Sequence, residues 1–309
     1  MSFVRKALFI VIFAACFTGY LSPPVALTLG ILFGLILANP LPKESRTGAK
    51  LLLQISVVAL GFGMNLHEVL KAGRNGFLYT ALGIGFAFLV GLTLAKLLSV
   101  AGNCGYLITT GTAICGGSAI AAVGPVLQAD AHEMAVSLAT VFVLNSVALL
   151  IFPPLGHFLK LTQTQFGLWA ALAIHDTSSV VGAASRYGAE SLVVGTTVKL
   201  ARALWIVPLA LVFAAVKGSK SKIHFPWFIL FFCIAAVLNT YLPACSSYFH
   251  GLFQAGRLGL TATLFLIGAG ISRETIRQVG WRPMALGIAL WIIVGTMSLY
   301  GIHIGWIAL

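Results

Sequence analysis

The segment His175-Asp176-Thr177-Ser178-Ser179 places an imidazole, a carboxylate and three hydroxyls in a row between apolar runs. An ionised aspartate at membrane depth costs about 2.5–3.5 kcal/mol on insertion scales, so it needs a partner, a proton or an ion. Imidazole exchanges a proton near neutral pH, and Asp, Thr and Ser cap helix N-termini. The segment therefore predicts a helix that breaks and restarts, with Asp176 or Thr177 as cap, at a site for a coupling proton or cation. The alternatives are that Asp176 serves only as a cap and that His175 is a hydrogen-bonded packing residue.

A second polar interruption, Cys115-Gly116-Gly117-Ser118, lies in an equally apolar setting. The glycine pair is a weak helix former, and backbone groups freed in lipid must be buried in protein or face a wet cavity. The functional interpretation is a broken helix whose second half begins near Ser118 and directs its N–H groups at a bound anion. The alternative is that Gly116 and Gly117 only allow close helix packing.

Two cations, Lys199 and Arg202, lie three residues apart in a later apolar run and so share one helix face. Near mid-depth they face a polar cavity or Asp176, in which case one of them forms a buried ion pair. One carboxylate against two bases leaves the site positive, which predicts an anionic substrate.

The amides inside apolar runs are weaker candidates, because interhelical hydrogen bonds explain most such residues. They are Gln54, Asn65, Asn145 and Asn239. Asn65 has the most weight, since it ends a glycine-rich motif. The predicted substrate-binding residues are then Cys115, Gly116, Gly117, Ser118, Thr177, Ser178, Ser179, Lys199 and Arg202, and the predicted coupling residues are His175, Asp176 and Asn65.

The composition defines the setting of these residues. The chain has 309 residues, of which 59% are hydrophobic and 8% charged, and its mean hydropathy is +1.01. Soluble domains carry about a quarter charged residues, so this is a polytopic membrane protein in contact with the lipid bilayer. The net charge of +12 comes from residues that flank apolar runs, which indicates topology rather than nucleic-acid binding. The five cysteines lack metal-ligand spacing, and we expect neither a metal nor a cofactor.

Eleven apolar spans are predicted, all helical. They lie at about residues 7–22, 24–39, 51–66, 77–98, 106–128, 133–152, 166–186, 190–214, 226–242, 257–272 and 284–305. A cytoplasmic N-terminus puts thirteen basic residues on inner flanks and four on outer ones, in agreement with the positive-inside rule. In the alternative, nine spans cross and 106–128 and 166–186 are re-entrant hairpins, which moves only Lys160 and residues 130–133 to the other side.

Short internal similarities suggest a repeat. Leu60–Asn65 resembles Ile267–Ser272, and the charge rule makes these spans antiparallel, as in an inverted-repeat transporter. A second similarity, of Ala113–Ser118 with Ala173–Ser178, has a different offset, so the two do not belong to one simple duplication. We expect a single transporter domain over 1–309 with two unwound helices.

Four motifs together resemble the YeiH-like family of bacterial inner-membrane proteins, which carries the name sulfate exporter. They are Val57–Leu66, Thr112–Ile120, Ile174–Val181 and Val198–Arg202, and the resemblance covers nearly the whole chain. Ser179 departs from the family, where many relatives have glutamine. The family is similar to the fold group of bile-acid symporters and sodium/proton antiporters, which implies a panel domain, a core domain and two unwound helices that cross near mid-membrane. It also implies a bacterial inner membrane, in which the charge rule places the C-terminus in the periplasm.

The resulting functional expectation is a secondary transporter of a small anion, of sulfate, sulfite or organosulfonate type. It is expected to be an exporter that works by alternating access and is coupled to H⁺ or Na⁺, and a homo-oligomer is left open. A channel or regulatory membrane subunit is the alternative. An intramembrane hydrolase that uses Ser178, His175 and Asp176 is disfavoured, since triad members converge from separate positions rather than one turn. We therefore expect no enzymatic activity.

Overall fold

The computed structural model describes residues 2–217, 227–270 and 280–308, and every regular element within these ranges is helical. The α-helices are α1 (Ser2–Ala15), α2 (Pro23–Ile36), α3 (Pro42–Gly61), α4 (Leu66–Leu97), α5 (Cys104–Ala113), α6 (Gly117–Val123), α7 (Ala131–Phe158), α8 (Gln163–Ala173), α9 (Thr177–Tyr187), α10 (Ala189–Ala203), α11 (Ile206–Lys217), α12 (Trp227–Tyr241), α13 (Ser246–Ala269) and α14 (Trp281–His303). A 3₁₀ turn, Pro243–Cys245, precedes α13.

Within the described ranges, five helical segments are long and apolar enough to cross a membrane. They are Tyr79–Leu97, His132–Phe158, Ala189–Phe213, Pro243–Ala269 and Trp281–His303, and shorter apolar helices lie at Pro23–Ile36 and Trp227–Tyr241. Large apolar side chains such as Leu82 and Leu89 point outward from α4, where a soluble helix would carry polar residues. The protein is therefore an all-α polytopic membrane protein, as predicted, and the count of eleven spans stays a prediction.

The chain packs as two compact units, of which the first comprises Met1–Leu70 and Trp227–Arg273. In it α13 packs along α2 and α3. A methyl group built on Gly30 of α2 would lie 2.3 Å from the Phe265 carbonyl oxygen, and one on Gly268 of α13 would lie 2.5 Å from that of Leu27. The two backbones thus meet at small residues, as is usual between membrane helices.

The glycine motifs of the proposed repeat both begin in the last turn of a helix in this unit. α3 ends at Gly61 and α13 at Ala269. Ile271 and Ser272, which complete the second motif, lie outside the described residues, so the inverted repeat stays a prediction. The single transporter domain over 1–309 likewise stays a prediction.

The second unit comprises Lys71–Pro226 and Glu274–Leu309. Its central element is α7, against which α5, α6, α9 and α14 pack. The predicted span 190–214 is divided, because α10 ends at Ala203 and α11 begins at Ile206. Pro208 has no N–H to offer the carbonyl of Leu204, which accounts for the interruption.

Candidate functional site: two helical hairpins with polar tips

Helices α8 and α9 form a hairpin, here called hairpin 2, with residues 174–176 as its tip. A methyl group on Gly195 of α10 would lie 3.2 Å from Ala184 Cβ and 3.3 Å from the Gly167 oxygen. A straight helix would separate residues 167 and 184 by about 25 Å, so the chain folds back on itself. At the base, the hydroxyl of Tyr187 donates to the Leu161 carbonyl at 2.6 Å.

Helices α5 and α6 form hairpin 1, with residues 114–116 as its tip. A methyl group on Gly111 would lie 2.9 Å from Ile120 Cδ1, although a straight helix would separate these residues by about 13 Å. At the base, Glu133 accepts from Asn103 N at 2.6 Å and from Asn103 Nδ2 at 3.1 Å. Both predicted interruptions are therefore helix breaks.

The hairpins approach α7 from its opposite ends. The base of hairpin 1 is bonded to Glu133 in the first turn of α7, whereas that of hairpin 2 is bonded to Leu161, beyond its C-terminus. The tips meet near the middle of α7, at Asn145. A methyl group on Gly116 of hairpin 1 would lie 3.4 Å from the Asp176 Cα of hairpin 2. The structure thus brings the two predicted polar segments together.

The tip of hairpin 2 is satisfied by side chains of its own unit. Asn145 Oδ1 accepts from the backbone nitrogens of His175 at 3.1 Å and Asp176 at 3.2 Å. Asp176 Oδ2 accepts from the nitrogens of Ser178 at 3.1 Å and Ser179 at 3.4 Å, and also from the Ser178 hydroxyl. The prediction that Asp176 caps the second half-helix is confirmed, and the same bonds occupy donors that were assigned to the substrate.

The tip of hairpin 1 lacks such a cap. Gly116 has φ +65° and ψ −128°, a conformation that L side chains avoid, and α6 has no side-chain cap. Gly117 lies against α7, since a methyl there would be 2.8 Å from the Phe142 ring. The Cys115 thiol is buried and Ser118 is exposed. The two glycines therefore allow both the helix break in hairpin 1 and its close packing against α7.

Lys199 is completely buried, at 0% exposure. Its Nζ donates to the carbonyl oxygens of Ile174 at 2.6 Å and Ala171 at 3.3 Å. These carbonyls belong to the C-terminal end of α8, where the helix dipole is negative and a cation is favourable. Lys199 thus caps the C-terminus of α8, the first half of hairpin 2.

Arg202 joins the two hairpins. Its Nε donates to Ala113 O at 2.6 Å and its Nη2 to Thr112 O at 3.3 Å, both at the C-terminus of α5. Its Nη1 donates to Leu172 O at 2.6 Å in α8. Asp176 meanwhile directs its carboxylate at α9, so the ion-pair alternative does not account for the two cations. They contribute positive charge, and most of their N–H groups donate to helix carbonyls.

Several buried polar atoms near the tips have no partner in the described protein. Both ring nitrogens of His175 and Nδ2 of Asn145 are among them. So are the hydroxyls of Thr112, Thr196 and Thr197 on the flanking helices α5 and α10. Because buried polar groups are normally hydrogen-bonded, these atoms are available to water or a ligand.

Asn65 lies in the first unit and is exposed. Its Oδ1 accepts from His67 N at 2.8 Å, which makes it the N-cap of α4. The coupling role assigned to Asn65 stays a prediction.

The geometry of Ser178 and His175 differs from that of a hydrolase. The Ser178 hydroxyl donates to Asp176, whereas a nucleophilic serine bonds to its histidine. In the part of the chain that the structure describes, no three His, Cys, Asp or Glu residues are grouped to hold a metal.

Two features were missed by the sequence argument. Asn145 was ranked only as an amide with an interhelical hydrogen bond, and the bonds of Arg202 to carbonyls were not foreseen. The available signal for Asn145 was its position near the middle of a long apolar helix, where an unpaired amide is costly. Arg202 offers no comparable signal, since it bonds to Ala113, 89 residues away.

The fold and its tips define a class of protein: an all-α polytopic membrane protein with two opposed, polar-tipped helical hairpins. The family model described as Conserved hypothetical protein 698 matches residues 7–287, and the chain belongs to this family, the YeiH-like family that its motifs resemble.

Relatives match over nearly their full length, and each carries the name UPF0324 membrane protein. The chain is 47% identical to the one from Geobacter sulfurreducens over 305 residues, covering 99% of this chain and 98% of the relative. It is 48% identical to that of Bdellovibrio bacteriovorus (98% and 96% covered) and 53% identical to that of Porphyromonas gingivalis (92% and 87% covered). No solved structure matches.

Proposed function

We propose that this protein is a secondary active transporter of a small anion. The observation that carries the proposal is the meeting of two hairpin tips, from opposite ends of α7, around buried polar groups without partners. A site between opposed hairpins is suited to alternating access, because each hairpin separates it from one side. Broken helices at the centre of an apolar fold are typical of secondary transporters.

In the proposed topology the two hairpins are re-entrant. Nine elements then cross the membrane: α1, α2, α3, α4, α7, α10 with α11, α12, α13 and α14. The fold-back of residues 106–128 and 166–186 supports this alternative over eleven crossings. The N-terminus is cytoplasmic and the C-terminus periplasmic, in a bacterial inner membrane, and Lys160 moves to the outer side.

The proposed cargo is an anion of sulfate, sulfite or organosulfonate type. Lys199 and Arg202 against Asp176 leave one net positive charge around the tips, which favours an anion. Among the predicted ligands, the hydroxyls of Ser118, Thr177 and Ser179 are proposed to donate to the anion, while the backbone nitrogens of Ser178 and Ser179 act indirectly, by holding Asp176.

Coupling to H⁺ or Na⁺ is proposed at Asp176 and His175. Only Oδ2 of Asp176 is used in capping, so its other carboxylate oxygen is available to a coupling ion. Export is the proposed direction, in keeping with the name sulfate exporter that the YeiH-like family carries.

A flux assay in proteoliposomes tests the proposal. Labelled sulfate, sulfite and methanesulfonate are offered with and without a proton or sodium gradient, and we expect saturable, gradient-dependent movement of at least one. Asp176→Asn and Lys199→Ala should abolish this flux while the proteins still insert in the membrane. Lys6→Ala, on α1 near the start of the chain, should leave the flux unchanged. Chemical turnover without flux, or normal flux in both site variants, would refute the proposal. Flux that neither saturates nor responds to a gradient would favour a channel.

A further inference from the structure

Asn145 contributes an unused donor to the meeting point of the tips. Its side chain is 3% exposed, and its Oδ1 accepts from two backbone N–H groups of hairpin 2. Because both partners are donors, they identify the end of the amide that faces them as the oxygen. The amino end, Nδ2, therefore points away from these N–H groups, and it has no partner in the described protein.

A buried donor of this kind requires an acceptor. An unsatisfied buried N–H costs about 1–3 kcal/mol, and the Nδ2 group carries two hydrogens. A residue bonded to Asn145 also has an unpaired side chain: His175 is 1% exposed, and neither of its ring nitrogens has a partner in the described protein. Its backbone nitrogen lies 3.1 Å from Asn145 Oδ1, so the two residues are direct neighbours at the meeting point of the tips.

The charge of this locality favours an acceptor that is an anion. Lys199 and Arg202 are buried at 0% and 1% exposure, and both lie on α10, which packs against α8 and α9. Most of their N–H groups are bonded to helix carbonyls, two of three on Lys199 and four of five on Arg202. They therefore act on a bound anion mainly through their charge, and the anion takes most of its hydrogen bonds from other residues.

We infer that Asn145 Nδ2 donates directly to the transported oxyanion, together with the His175 ring, and that Lys199 and Arg202 are positioning residues. This inference rests on the proposed function and adds a specific ligand from α7 to its site. Oδ1 of Asn145 accepts hydrogen bonds from the tip of hairpin 2, while Nδ2 donates to the anion. The same side chain therefore contacts both the substrate and the hairpin. The ligand class is a small oxyanion with at least two acceptor oxygens, such as sulfate, sulfite or an organosulfonate.

Asn145→Asp tests the donor with almost no change of shape. The carboxylate still accepts from the His175 and Asp176 nitrogens, so hairpin 2 remains anchored, but the donor is lost and a negative charge replaces it. Binding of sulfate, sulfite and methanesulfonate to the purified protein is measured by isothermal titration, and flux KM and Vmax are measured in proteoliposomes. We expect the Kd and KM of the bound probe to rise at least tenfold, with a smaller change in Vmax.

Asn39→Asp is the matched control. Asn39 Oδ1 likewise accepts two hydrogen bonds, from Leu41 N and the Ser45 hydroxyl, and its Nδ2 likewise lacks a partner. It lies in the first unit, on the loop before α3. The same chemical change there should leave Kd and KM within twofold of wild type.

A second variant, His175→Phe, keeps a ring of similar size without nitrogens and should also raise the Kd. Its control is His303→Phe, at the exposed end of α14, which should leave the Kd unchanged. Wild-type Kd in Asn145→Asp, or an equal rise in Asn39→Asp, would overturn the inference and leave the transporter proposal standing if wild type moves the probe. Absence of flux for every probe in the wild type would instead remove the proposed function, and the inference with it.

Discussion

The two hairpins satisfy the backbone groups at their helix breaks in different ways. In hairpin 2, Asp176 caps the helix that restarts after the break, and Asn145 accepts hydrogen bonds from two backbone N–H groups of the tip. Hairpin 1 has no side-chain cap and turns through Gly116 at φ +65°, next to the exposed Ser118. Hairpin 2 is therefore held by side chains, whereas hairpin 1 is held by backbone geometry and by Arg202.

The bases of the hairpins differ as well. Hairpin 1 is anchored by one carboxylate, Glu133. Hairpin 2 is anchored by stacked rings, since Tyr187 lies 4.3 Å from His157 and 3.8 Å from Phe166 between centroids. Stacked rings bury more apolar surface than a part-buried polar contact does, so we expect hairpin 1 to be the more easily displaced of the two.

The largest effect is expected for Arg202→Met. It removes donors from carbonyls of both hairpins, and each unsatisfied buried group costs about 1–3 kcal/mol, so the total loss is on the order of 3–5 kcal/mol. Lys199→Met should cost about half as much, because Lys199 contacts only hairpin 2. Thermal unfolding in detergent measures the stability, and hydrogen exchange locates the effect. Loss of protection in hairpin 2 alone for Arg202→Met would show that it does not bridge the hairpins.

Gly116→Ala should destabilise hairpin 1 by about 1–2 kcal/mol, the cost of a left-handed conformation for an L-residue. The added methyl would also meet Val141 at 3.3 Å and Asp176 at 3.4 Å, so the disturbance should reach the tip of hairpin 2. The control is Gly83→Ala in α4, where nothing lies within 4 Å and a gain of about 0.5–1 kcal/mol is expected. Equal melting temperatures for the two variants would contradict the strained turn.

Substitutions of Asp176 separate its capping from its charge. Asp176→Ala should cost about 0.5–2 kcal/mol, whereas Asp176→Asn should be nearly neutral in stability, because Asn is as good a cap. Both should lose transport. In hairpin 1, Ser118→Ala should leave stability unchanged, since Ser118 is exposed and caps nothing, and raise the flux KM a few-fold. Thermal melts and flux assays on the same preparations measure both effects. A strongly destabilised Asp176→Asn would show that capping and charge of Asp176 are not separable.

At the bases of the hairpins we expect modest losses of stability and little effect on transport. Tyr187→Phe removes one hydrogen bond and Glu133→Gln weakens a set of three, with expected costs of about 0.5–1.5 kcal/mol each. Hydrogen exchange should rise in hairpin 1 for Glu133→Gln and much less in hairpin 2 for Tyr187→Phe. The reverse order would invert the ranking of the two bases.

The helix breaks were predictable because their signals are local. A glycine pair at 116–117 and a capping aspartate at 176 are visible in short windows, and both breaks fall there. The depth of Lys199 and Arg202 was predictable from helix length. Their carbonyl partners were not, because these belong to half-helices that converge only in the folded unit.

The choice between crossing and re-entry could not be made from the chain either. The two topologies differ on the flanks by little more than Lys160, one charge. The fold-back is visible only in contacts such as Gly111 with Ile120 and Gly167 with Ala184 around Gly195.

The most direct test of the account is the sidedness of the hairpin ends. Single cysteines are placed at exposed positions flanking each hairpin, Ala101 and Gln128 for hairpin 1 and Lys160 and Arg186 for hairpin 2, in a chain without its five native cysteines, and labelled with a membrane-impermeant maleimide in right-side-out and inverted vesicles. We predict that Ala101 and Gln128 label together from the cytoplasm, and that Lys160 and Arg186 label together from the periplasm. Labelling of the two ends of either hairpin from opposite faces would show a crossing and contradict the account.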